Sequence, residues 1–528
     1  MFWFSYITLL IALTAAVYEL RRCLMMLQQN SYRNERYNRW LSTSQDSTSI
    51  RRLVSGDVVL AAFSTLSIPV VSLGLVCAVS LLDILNLVRA RYKKPLVWTP
   101  RARRIYAVTA LLAVIVVAAS FFMGGAGTKG AGVAAIVALG VYCFSHLFIL
   151  IANWLLKPVE AHINKGYYDD AASILRSMPD LKIIGITGSY GKTSTKHYLN
   201  RILSEHFDVM MTPGSYNTTM GVIRTVREYL KPYNEVFIVE MGAKQPGDIK
   251  EICDLVHPTV GIVTAVGEQH LESFKTIENV QRTKFELIDS LPGDGLAVVN
   301  DDFPYVANRP VSNTECVRYA VTSTDAAAYT AENITYSPQG TTFTVKMPDG
   351  TSMDFSTRLV GECNVSNLLA AIIVSLRMGV PVEKIKYAVS QIEQVEHRLN
   401  MKRTPGGVTI IDDAFNSNPT GSRMALDVLA MMKPGKRIVV TPGMIELGER
   451  QAELNRAFGE KIAASADEAI IVGQYNREAI VEGIENAPVR VARIHKVDTF
   501  NDAQALLAGM LAPGDTVLYE NDLPDTFK

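Results

Sequence analysis

Residues 182–196 read KIIGITGSYGKTSTK, and this stretch decides the fold of the larger part of the chain. The apolar run KIIGIT predicts a buried strand, TGSYG predicts a glycine-rich turn, and the residues after it begin an amphipathic helix. Small residues let backbone N–H groups approach an anion at the positive end of a helix. The stretch therefore predicts a phosphate-binding loop (P-loop). It has the short form G-x-x-G-K-[ST], because Ile186 stands where the full form G-x-x-x-x-G-K-[ST] has its first glycine.

Two polar residues at the end of this loop have predicted tasks. Lys192 is expected to lie against the β- and γ-phosphates of ATP, and the Thr193 hydroxyl is expected to coordinate Mg²⁺. The residues predicted to bind the nucleotide here are Gly188, Ser189, Gly191, Lys192, Thr193 and Ser194.

Further short apolar strands follow the loop and alternate with helical stretches. They are EVFIVEMG (235–242), TVGIVTAVG (259–267) and GLAVVND (295–301). This alternation predicts a doubly wound parallel sheet. Residues 315–360 alternate in polarity and predict antiparallel strands beside it, and a second α/β series begins near residue 407. The fold class is thus a central P-loop ATPase domain followed by a Rossmann-like α/β domain.

Glu240 ends the strand EVFIVE at its carboxyl end, where ligands collect in such sheets. A carboxylate there is able to hold Mg²⁺ directly or through water. Taken alone, a glutamate at a strand end is more often a helix cap or a solvated residue.

The charge of the chain is unevenly distributed. Residues 1–156 contain 15 Lys+Arg and 5 Asp+Glu, a net charge of +10, and the remainder contains 37 and 47, a net charge of −10. Hydrophobic residues make up 48% of the chain and the mean hydropathy is +0.14. This composition excludes a disordered protein and indicates membrane segments in the basic part.

Apolar segments in the first 156 residues predict a helical membrane anchor of three to five segments, with four expected. Residues 2–18, 105–123 and 132–156 each read as one span, whereas 57–88 is long for one span and short for two. The loops 21–56 and 89–104 are both basic, and both can be cytoplasmic only if 57–88 enters and leaves on the same side, bending at Pro69. A single span there would break the positive-inside rule for one loop.

The six cysteines contain no C-x-x-C pair, which fits neither a disulfide framework nor a zinc site and favours a reducing compartment. The predicted organisation is a transmembrane region over 1–156, a linker helix over 157–180, a central ATP-binding domain over 181–396 and a C-terminal domain over 397–528.

Seven motifs occur in the order found in Mur ligases, the ATP-dependent amide ligases that build the peptidoglycan stem peptide. They are TGSYGKTST, PGSYNTTMGV, IVEMGAKQPGDI, GEQHLESF followed by RTKFE, GECNVSNLLAA, IIDDAFNSNP and GMIELGE. The resemblance covers roughly residues 180–515. The motif spelling is most similar to the branch that adds D-alanyl-D-alanine to a UDP-linked muramoyl tripeptide.

The resemblance implies a reaction and its cofactors, ATP and Mg²⁺. ATP phosphorylates a substrate carboxylate, and an amine attacks the acyl phosphate to give an amide. Lys192, His270, Lys284 and Arg398 match residues that act in catalysis. Thr193, Glu240 and His270 match metal-site positions, and Lys284 matches a lysine that is carbamylated in several members, where it helps to place a second Mg²⁺.

The remaining matches surround the nucleotide. Asn364 and Asn367 match the family's N-x-x-N segment, and Arg398 matches an arginine that reaches the ATP phosphates. Asp413 and Asn416 match a C-terminal-domain loop that closes over the nucleotide.

The sequence departs from the family in three places. Cys363 stands where the family usually has histidine, and LYENDLPDTFK stands where the dipeptide-adding branch has a Lys-Gly-Ser segment. Membrane segments occupy residues 1–156, where the family has its UDP-sugar domain. The carboxylate substrate is therefore expected to be a muramoyl peptide, in soluble or lipid-linked form, and the amino substrate D-Ala-D-Ala or another amino compound.

The expected location is the plasma membrane, with multi-pass anchoring and cytoplasmic ligase domains. Membrane lipid and wall-synthesis proteins are expected partners, and nucleic acid is not. Two other functions remain open from the sequence. One is a poly-γ-glutamate-type capsule ligase, and the other is a non-catalytic nucleotide-binding scaffold of a membrane wall-synthesis complex.

Overall fold

The computed structural model of the chain describes residues 2–44, 46–92, 94–322, 327–337, 340–415, 417–488 and 492–523. These residues form two compact units, of which the first ends at Lys165 and the second is Gly166–Asp522.

The first unit is helical. Its elements are α1 (Phe2–Gln29), α2 (Asn34–Thr43), a 3₁₀ turn (Asp46–Thr48), α3 (Ile50–Ser64), α4 (Pro69–Arg89), α5 (Pro100–Met123), α6 (Gly127–Cys143) and the beginning of α7 (Ser145–Arg176). Within the described residues, α1, α4 and α5 are long and apolar enough to cross a membrane. Helices α6 and α7 meet at an angle of 72° and would count as a fourth, broken span. The predicted segment 132–156 is therefore two helices that bend at Phe144, not one straight helix.

The stretch 57–88 forms a helical hairpin, which decides between the two topologies that the sequence left open. Ser55 Oγ donates a hydrogen bond to Asp83 Oδ2 at 2.9 Å, and the Thr65 and Ser72 hydroxyls lie 3.0 Å apart near the turn, so α3 and α4 run antiparallel. Pro69 is the first residue of α4, where its missing N–H costs no hydrogen bond. The chain therefore enters and leaves this stretch at the same end.

Both basic loops lie at that end of the helical unit. Gln28, at the end of α1, exchanges two hydrogen bonds with the backbone of Val97, at 2.8 and 2.9 Å, and Gln29 donates to the carbonyl of Lys94. The loop after α1 and the loop before α5 are thus tied together. The two basic loops therefore share one end of the helical unit, which is what the positive-inside rule requires of two cytoplasmic loops.

A buried arginine explains how the bend between α6 and α7 is tolerated. Arg52 is 5% exposed and donates to the carbonyls of Tyr142 and Cys143 at 3.1 and 2.7 Å, which lie at the end of α6. Its other amino group pairs with Glu19. Carbonyl groups freed by a helix break need such partners in an apolar surrounding.

The second unit begins with a nine-stranded sheet in the order β2-β3-β1-β4-β5-β6-β7-β8-β9. Its strands are β1 (Lys182–Thr187), β2 (Val209–Met211), β3 (Val236–Glu240), β4 (Val260–Val263), β5 (Leu296–Asn300), β6 (Glu315–Ala320), β7 (Tyr329–Ser337), β8 (Gly340–Lys346) and β9 (Ser352–Thr357). The pairs from β2 to β7 are parallel, and the pairs β7–β8 and β8–β9 are antiparallel. The predicted antiparallel strands therefore extend the parallel sheet, and the antiparallel part begins at β7 and not at residue 315.

Helices cover both faces of this sheet and give it two apolar cores. They are α8 (Lys192–Leu203), α9 (Thr219–Glu228), α10 (Asp248–Val256), α11 (Leu271–Phe274), α12 (Ile277–Asp289), α13 (Pro304–Ala307), α14 (Glu362–Arg377) and α15 (Val382–Gln391). The strand order reverses between β1 and β4, so a crevice for a ligand is expected at their carboxyl ends.

A six-stranded sheet in the order β10-β11-β15-β12-β13-β14 completes the unit. Its strands are β10 (Asn400–Arg403), β11 (Thr409–Asp413), β12 (Arg437–Thr441), β13 (Glu468–Val472), β14 (Arg493–Val497) and β15 (Thr516–Glu520), and its helices are α16 (Pro419–Met431), α17 (Gln451–Ser465), α18 (Arg477–Glu485) and α19 (Phe500–Met510). Only β10 is antiparallel to its neighbour.

Candidate active site

The loop Gly188–Gly191 joins β1 to α8 at the carboxyl edge of the first sheet. Gly191 has a φ of 80°, and a Cβ atom there would collide with Asn367 Oδ1. A Cβ atom at Gly188 would collide with Thr264 Oγ1. Both positions therefore require glycine, which lets the loop before α8 pack closely against Thr264 and Asn367.

Lys192 folds back over this loop. Its Nζ donates to the carbonyl of Gly188 at 2.5 Å. Burial, with a smaller contribution from the nearby Arg398, lowers the pKa of Lys192 to about 8, although the charge of Glu240 opposes the shift. The ammonium group is therefore poorly solvated, and an anion at the loop would stabilise its charge.

The Glu240 carboxylate is hydrogen-bonded to several polar groups of the site. Its Oε1 accepts hydrogen bonds from Thr193 Oγ1 at 3.1 Å and from Asn217 Nδ2 at 3.0 Å. Its Oε2 lies 3.0 Å from Lys196 Nζ. Burial alone would raise the pKa of Glu240, but Lys196 and Lys192 outweigh it and hold the pKa below its ordinary value. The side chain is therefore an ionised carboxylate beside a hydroxyl group.

Lys196 is the residue that the sequence reasoning missed at this site. It is 0% exposed, and its Nζ also donates to the carbonyl of Gly214 at 2.5 Å. It lies one helical turn after Lys192 on α8, among the residues that this helix buries. A lysine at a buried helix position is rare unless it is paired, and that rule is the signal that would have found it.

Lys284 lies on α12 and is 2% exposed. Burial, and then the positive charge of Lys192, lower its pKa well below the ordinary value, and Asp248 and Glu240 only partly oppose this. The structure thus places Lys284 close enough to Lys192 and Glu240 for their charges to act on its pKa.

His270 contacts a loop of the second sheet. Its Nδ1 is hydrogen-bonded to Glu446, whose carbonyl accepts from Glu272 N at 3.1 Å. Burial lowers the pKa of His270, and Glu446 opposes this shift. Among the described residues no group of three or more His, Cys, Asp or Glu side chains is arranged to hold a metal ion. Sequence reasoning had not singled out Glu446, because it lies 176 positions from His270.

A cleft opens between the loop, the start of α14 and the first residues of the second sheet. Asn364 and Asn367 line it and accept hydrogen bonds from side chains of α8, namely Tyr198 at 2.8 Å and Thr195 at 3.2 Å. Cys363 lines it as well, and burial raises the pKa of its thiol to about 12, so this position presents a neutral group.

Arg398 and Asp413 line the same cleft from the other side. The Arg398 guanidinium lies 4.4 Å from the centre of the Phe415 ring, a cation–π contact. Asp413 Oδ1 accepts a hydrogen bond from Leu399 N at 3.1 Å. Burial raises the pKa of Asp413 to about 6, and Arg398 opposes the rise. Asn416, the other residue predicted on this loop, lies outside the described residues.

Two family profiles match the second unit. One is described as Mur ligase middle domain and matches residues 186–375, and the other is described as Mur ligase, glutamate ligase domain and matches residues 397–519.

Curated relatives named UDP-N-acetylmuramoyl-tripeptide–D-alanyl-D-alanine ligase are similar to this chain. The protein of Escherichia coli is 30% identical over 310 residues, which are 58% of this chain and 68% of that protein. The protein of Bacillus subtilis is 30% identical over 284 residues, which are 53% of this chain and 60% of that protein. The protein of Mycobacterium tuberculosis is 31% identical over 366 residues, 64% and 70%. The chain thus spans about two thirds of these relatives or a little less.

Solved structures of MurF proteins are also similar to this chain. The crystal structure of MurF from Acinetobacter baumannii aligns with a TM-score of 0.61 at 26% identity, covering 67% of this chain and 77% of that one. MurF from Thermotoga maritima in complex with ADP aligns with a TM-score of 0.61 at 25% identity, covering 68% and 80%.

Proposed function

The chain belongs to the Mur ligase family, and from this premise we propose that it is a membrane-anchored, ATP-dependent amide ligase that acts on a cell-wall precursor. Its proposed carboxylate substrate is a muramoyl peptide and its proposed amino substrate is D-Ala-D-Ala, as in the names of its relatives. One observation carries the proposal: Lys192, Thr193 and Glu240 converge at the carboxyl end of β1 and β3.

In the proposed reaction, a carboxylate oxygen of the peptide attacks the γ-phosphorus of ATP, and ADP leaves. The amine then attacks the carbonyl carbon of the acyl phosphate, loses a proton and expels inorganic phosphate. Negative charge grows on phosphoryl and carbonyl oxygens in both steps, so preorganised cations lower both barriers. We assign this task to Lys192 and Arg398, with the loop Gly188–Gly191 as a phosphate-binding loop.

A magnesium ion fits the residues that are present. The Thr193 hydroxyl and the ionised Glu240 carboxylate lie 3.1 Å apart, and hydroxyl and carboxylate oxygens are ligands that Mg²⁺ prefers. We propose that these two residues hold it, with His270 and a carbamylated Lys284 near a second ion. Bound there, the ion would neutralise phosphate charge.

We propose that closure of the cleft completes the site. Asn364 and Asn367 would hold the nucleotide from one side, and Arg398, Asp413 and Asn416 from the other. The link from His270 to Glu446 supports this, because it already joins the two α/β domains. Exclusion of water protects an acyl phosphate from hydrolysis.

We propose that the helical unit anchors the enzyme in the plasma membrane through several spans, with the ligase domains in the cytoplasm. The boundaries proposed for this organisation remain 1–156, 157–180, 181–396 and 397–528. The apolar helices and the shared end of the two basic loops support the anchor. A lipid-linked muramoyl peptide is then the favoured substrate, because basic loops attract anionic head groups and diphosphates.

The proposed function is tested by a ligation assay on the detergent-purified full chain. The protein is incubated with ATP, Mg²⁺, D-Ala-D-Ala and either a UDP-muramoyl tripeptide or its lipid-linked form, and phosphate release and product mass are followed. We expect phosphate release that needs both substrates and is faster with the lipid-linked form. Equal rates with the soluble form would contradict the lipid-linked assignment. No release with either form would favour the scaffold function.

Carbamylation of Lys284 is a second expected result. A buried neutral amine adds CO₂ and releases a proton, and the lowered pKa of Lys284 keeps the amine neutral once the pH exceeds it. We expect a carbamate signal in the NMR spectrum of protein equilibrated with ¹³C-bicarbonate. In Lys284→Ala we expect that signal to be lost and turnover to fall about 10- to 100-fold. Lys250→Ala, at an exposed lysine, is the matched control. A signal that persists in Lys284→Ala would place the carbamate elsewhere.

A further inference from the structure

Two acidic side chains lie side by side where β11 and β15 end. Asp413 and Glu520 are partners in the parallel register of these strands, so their side chains leave the same face of the sheet. Glu520 is 1% exposed, whereas Asp413 lines the cleft. Glu520 therefore reaches the cleft only through Asp413.

One oxygen of the pair lacks a donor, which leaves room for a proton shared between the two carboxyl groups. Ser417 Oγ donates to Glu520 Oε1 at 2.7 Å, and Leu399 N donates to Asp413 Oδ1 at 3.1 Å. Among the described residues no donor reaches Glu520 Oε2, and the neighbouring Asp413 carboxyl is within hydrogen-bonding reach of Glu520. Two ionised carboxylates repel each other, whereas a pair that shares one proton is stable.

The charges around the pair favour a single negative charge on it. Arg398 faces Asp413 from the segment before β10, and Asp412 and Cys363 also face it. Burial, followed by the charge of Asp413, raises the pKa of Glu520 well above its ordinary value. Glu520 is the more deeply buried member and its Oε2 has no donor among the described residues, so it keeps the proton. Asp413, which accepts the Leu399 N–H and faces Arg398, is the member that is ionised.

Asp413 also fixes the backbone that carries Arg398. Leu399 has a φ of 48° and His397 a φ of 57°, so Arg398 lies between two residues in the left-handed region. The Leu399 N–H group that donates to Asp413 belongs to this strained segment. The Asp413 carboxyl therefore anchors the backbone next to Arg398.

We propose that Glu520 is a positioning residue: by sharing one proton with Asp413 it keeps one negative charge beside Arg398 and holds Arg398 toward the nucleotide phosphates. This inference rests on the proposed function, since it takes the cleft to be the nucleotide site. Glu520 itself does not touch the nucleotide. Above the pH at which Glu520 loses its proton, the pair carries two negative charges and repels phosphate.

The test compares the affinity of the full chain for Mg²⁺–ADP between about pH 7 and about pH 9.5 by calorimetry. In Glu520→Gln the amide donates permanently to Asp413, so the pair never acquires the second charge. Lys192, whose pKa is about 8, loses its proton in both proteins, so only the difference between their pH profiles reports on Glu520. We expect the affinity of the wild type for Mg²⁺–ADP to fall more steeply with pH than that of Glu520→Gln. The slope of the logarithm of the affinity against pH should differ by one, because the wild type takes up one more proton for each ADP bound.

Asp413→Asn is the matched charge-shift variant. It removes the negative charge that faces Arg398 and leaves Glu520 buried behind a neutral amide, so we expect about tenfold weaker ADP binding at every pH. Glu468→Gln, at a buried glutamate on β13, is the control and should follow the wild-type profile.

Identical profiles for the wild type and Glu520→Gln would overturn the inference and leave the proposed function intact. No ADP binding by the wild type at any pH would overturn both. Should Glu520→Gln not fold, Ser417→Ala provides the same information. Loss of the Ser417 donor disfavours the ionised form of Glu520. The loss of ADP affinity at alkaline pH should therefore begin at a higher pH in Ser417→Ala than in the wild type. A loss that begins at the same pH in both proteins would contradict the pairing of Glu520 with Asp413.

Discussion

Lys192→Ala is expected to lower ATP-dependent phosphate release by about 10²- to 10³-fold. The ammonium group lies at the loop between β1 and α8, and burial lowers its pKa to about 8, so it is held ready to meet an anion. Alanine removes this cation where charge develops in the transition state. The measurement is phosphate release at saturating substrates, together with Mg²⁺–ADP affinity by calorimetry.

The matched control for this prediction is Lys250→Ala. Lys250 is exposed and its partner is Asp254, one helical turn away on α10, so its loss should leave turnover unchanged. A Lys192→Ala protein that turned over at the wild-type rate would show that the loop does not hold the reacting phosphates.

Lys196→Met is expected to lower the free energy of unfolding of the second unit (Gly166–Asp522) by about 3 to 5 kcal/mol. Lys196 is 0% exposed and Glu240 is 1% exposed, so the substitution leaves a buried carboxylate without its ammonium partner. The double variant Lys196→Met/Glu240→Gln removes the stranded charge and should recover a large part of the loss. Calorimetry and hydrogen exchange of β3 report this change.

Tryptophan fluorescence would be the wrong probe for that experiment, because Trp3, Trp40, Trp98 and Trp154 all lie in the first 156 residues. Lys250→Met again serves as the exposed control, with an expected change below about 0.5 kcal/mol. An unchanged stability of Lys196→Met, or a double variant less stable than the single one, would refute the role of Lys196 as the partner of Glu240.

Much of the fold was predictable because the central strands are buried on both faces and therefore read as short apolar runs. The strands β1, β3, β4 and β5 were identified in this way. Strands β2, β10 and β14 were not, because edge strands pack on one side and tolerate polar residues such as those of β10 (NMKR). The bend at Phe144 was also missed, since the residue that satisfies the carbonyl groups at the end of α6 is Arg52, which lies 90 positions from Tyr142.

The sequence by itself determined the geometry of the loop Gly188–Gly191, because its requirements are local. Glycine is needed where a Cβ atom would collide, and Lys192 and Thr193 follow directly on the same turn. The tertiary structure decided which distant groups complete the site. Lys196 is paired with Glu240, His270 with Glu446 and Asp413 with Glu520 by the order and register of strands. Such pairs depend on how non-adjacent segments pack, and no local pattern of residues records that packing.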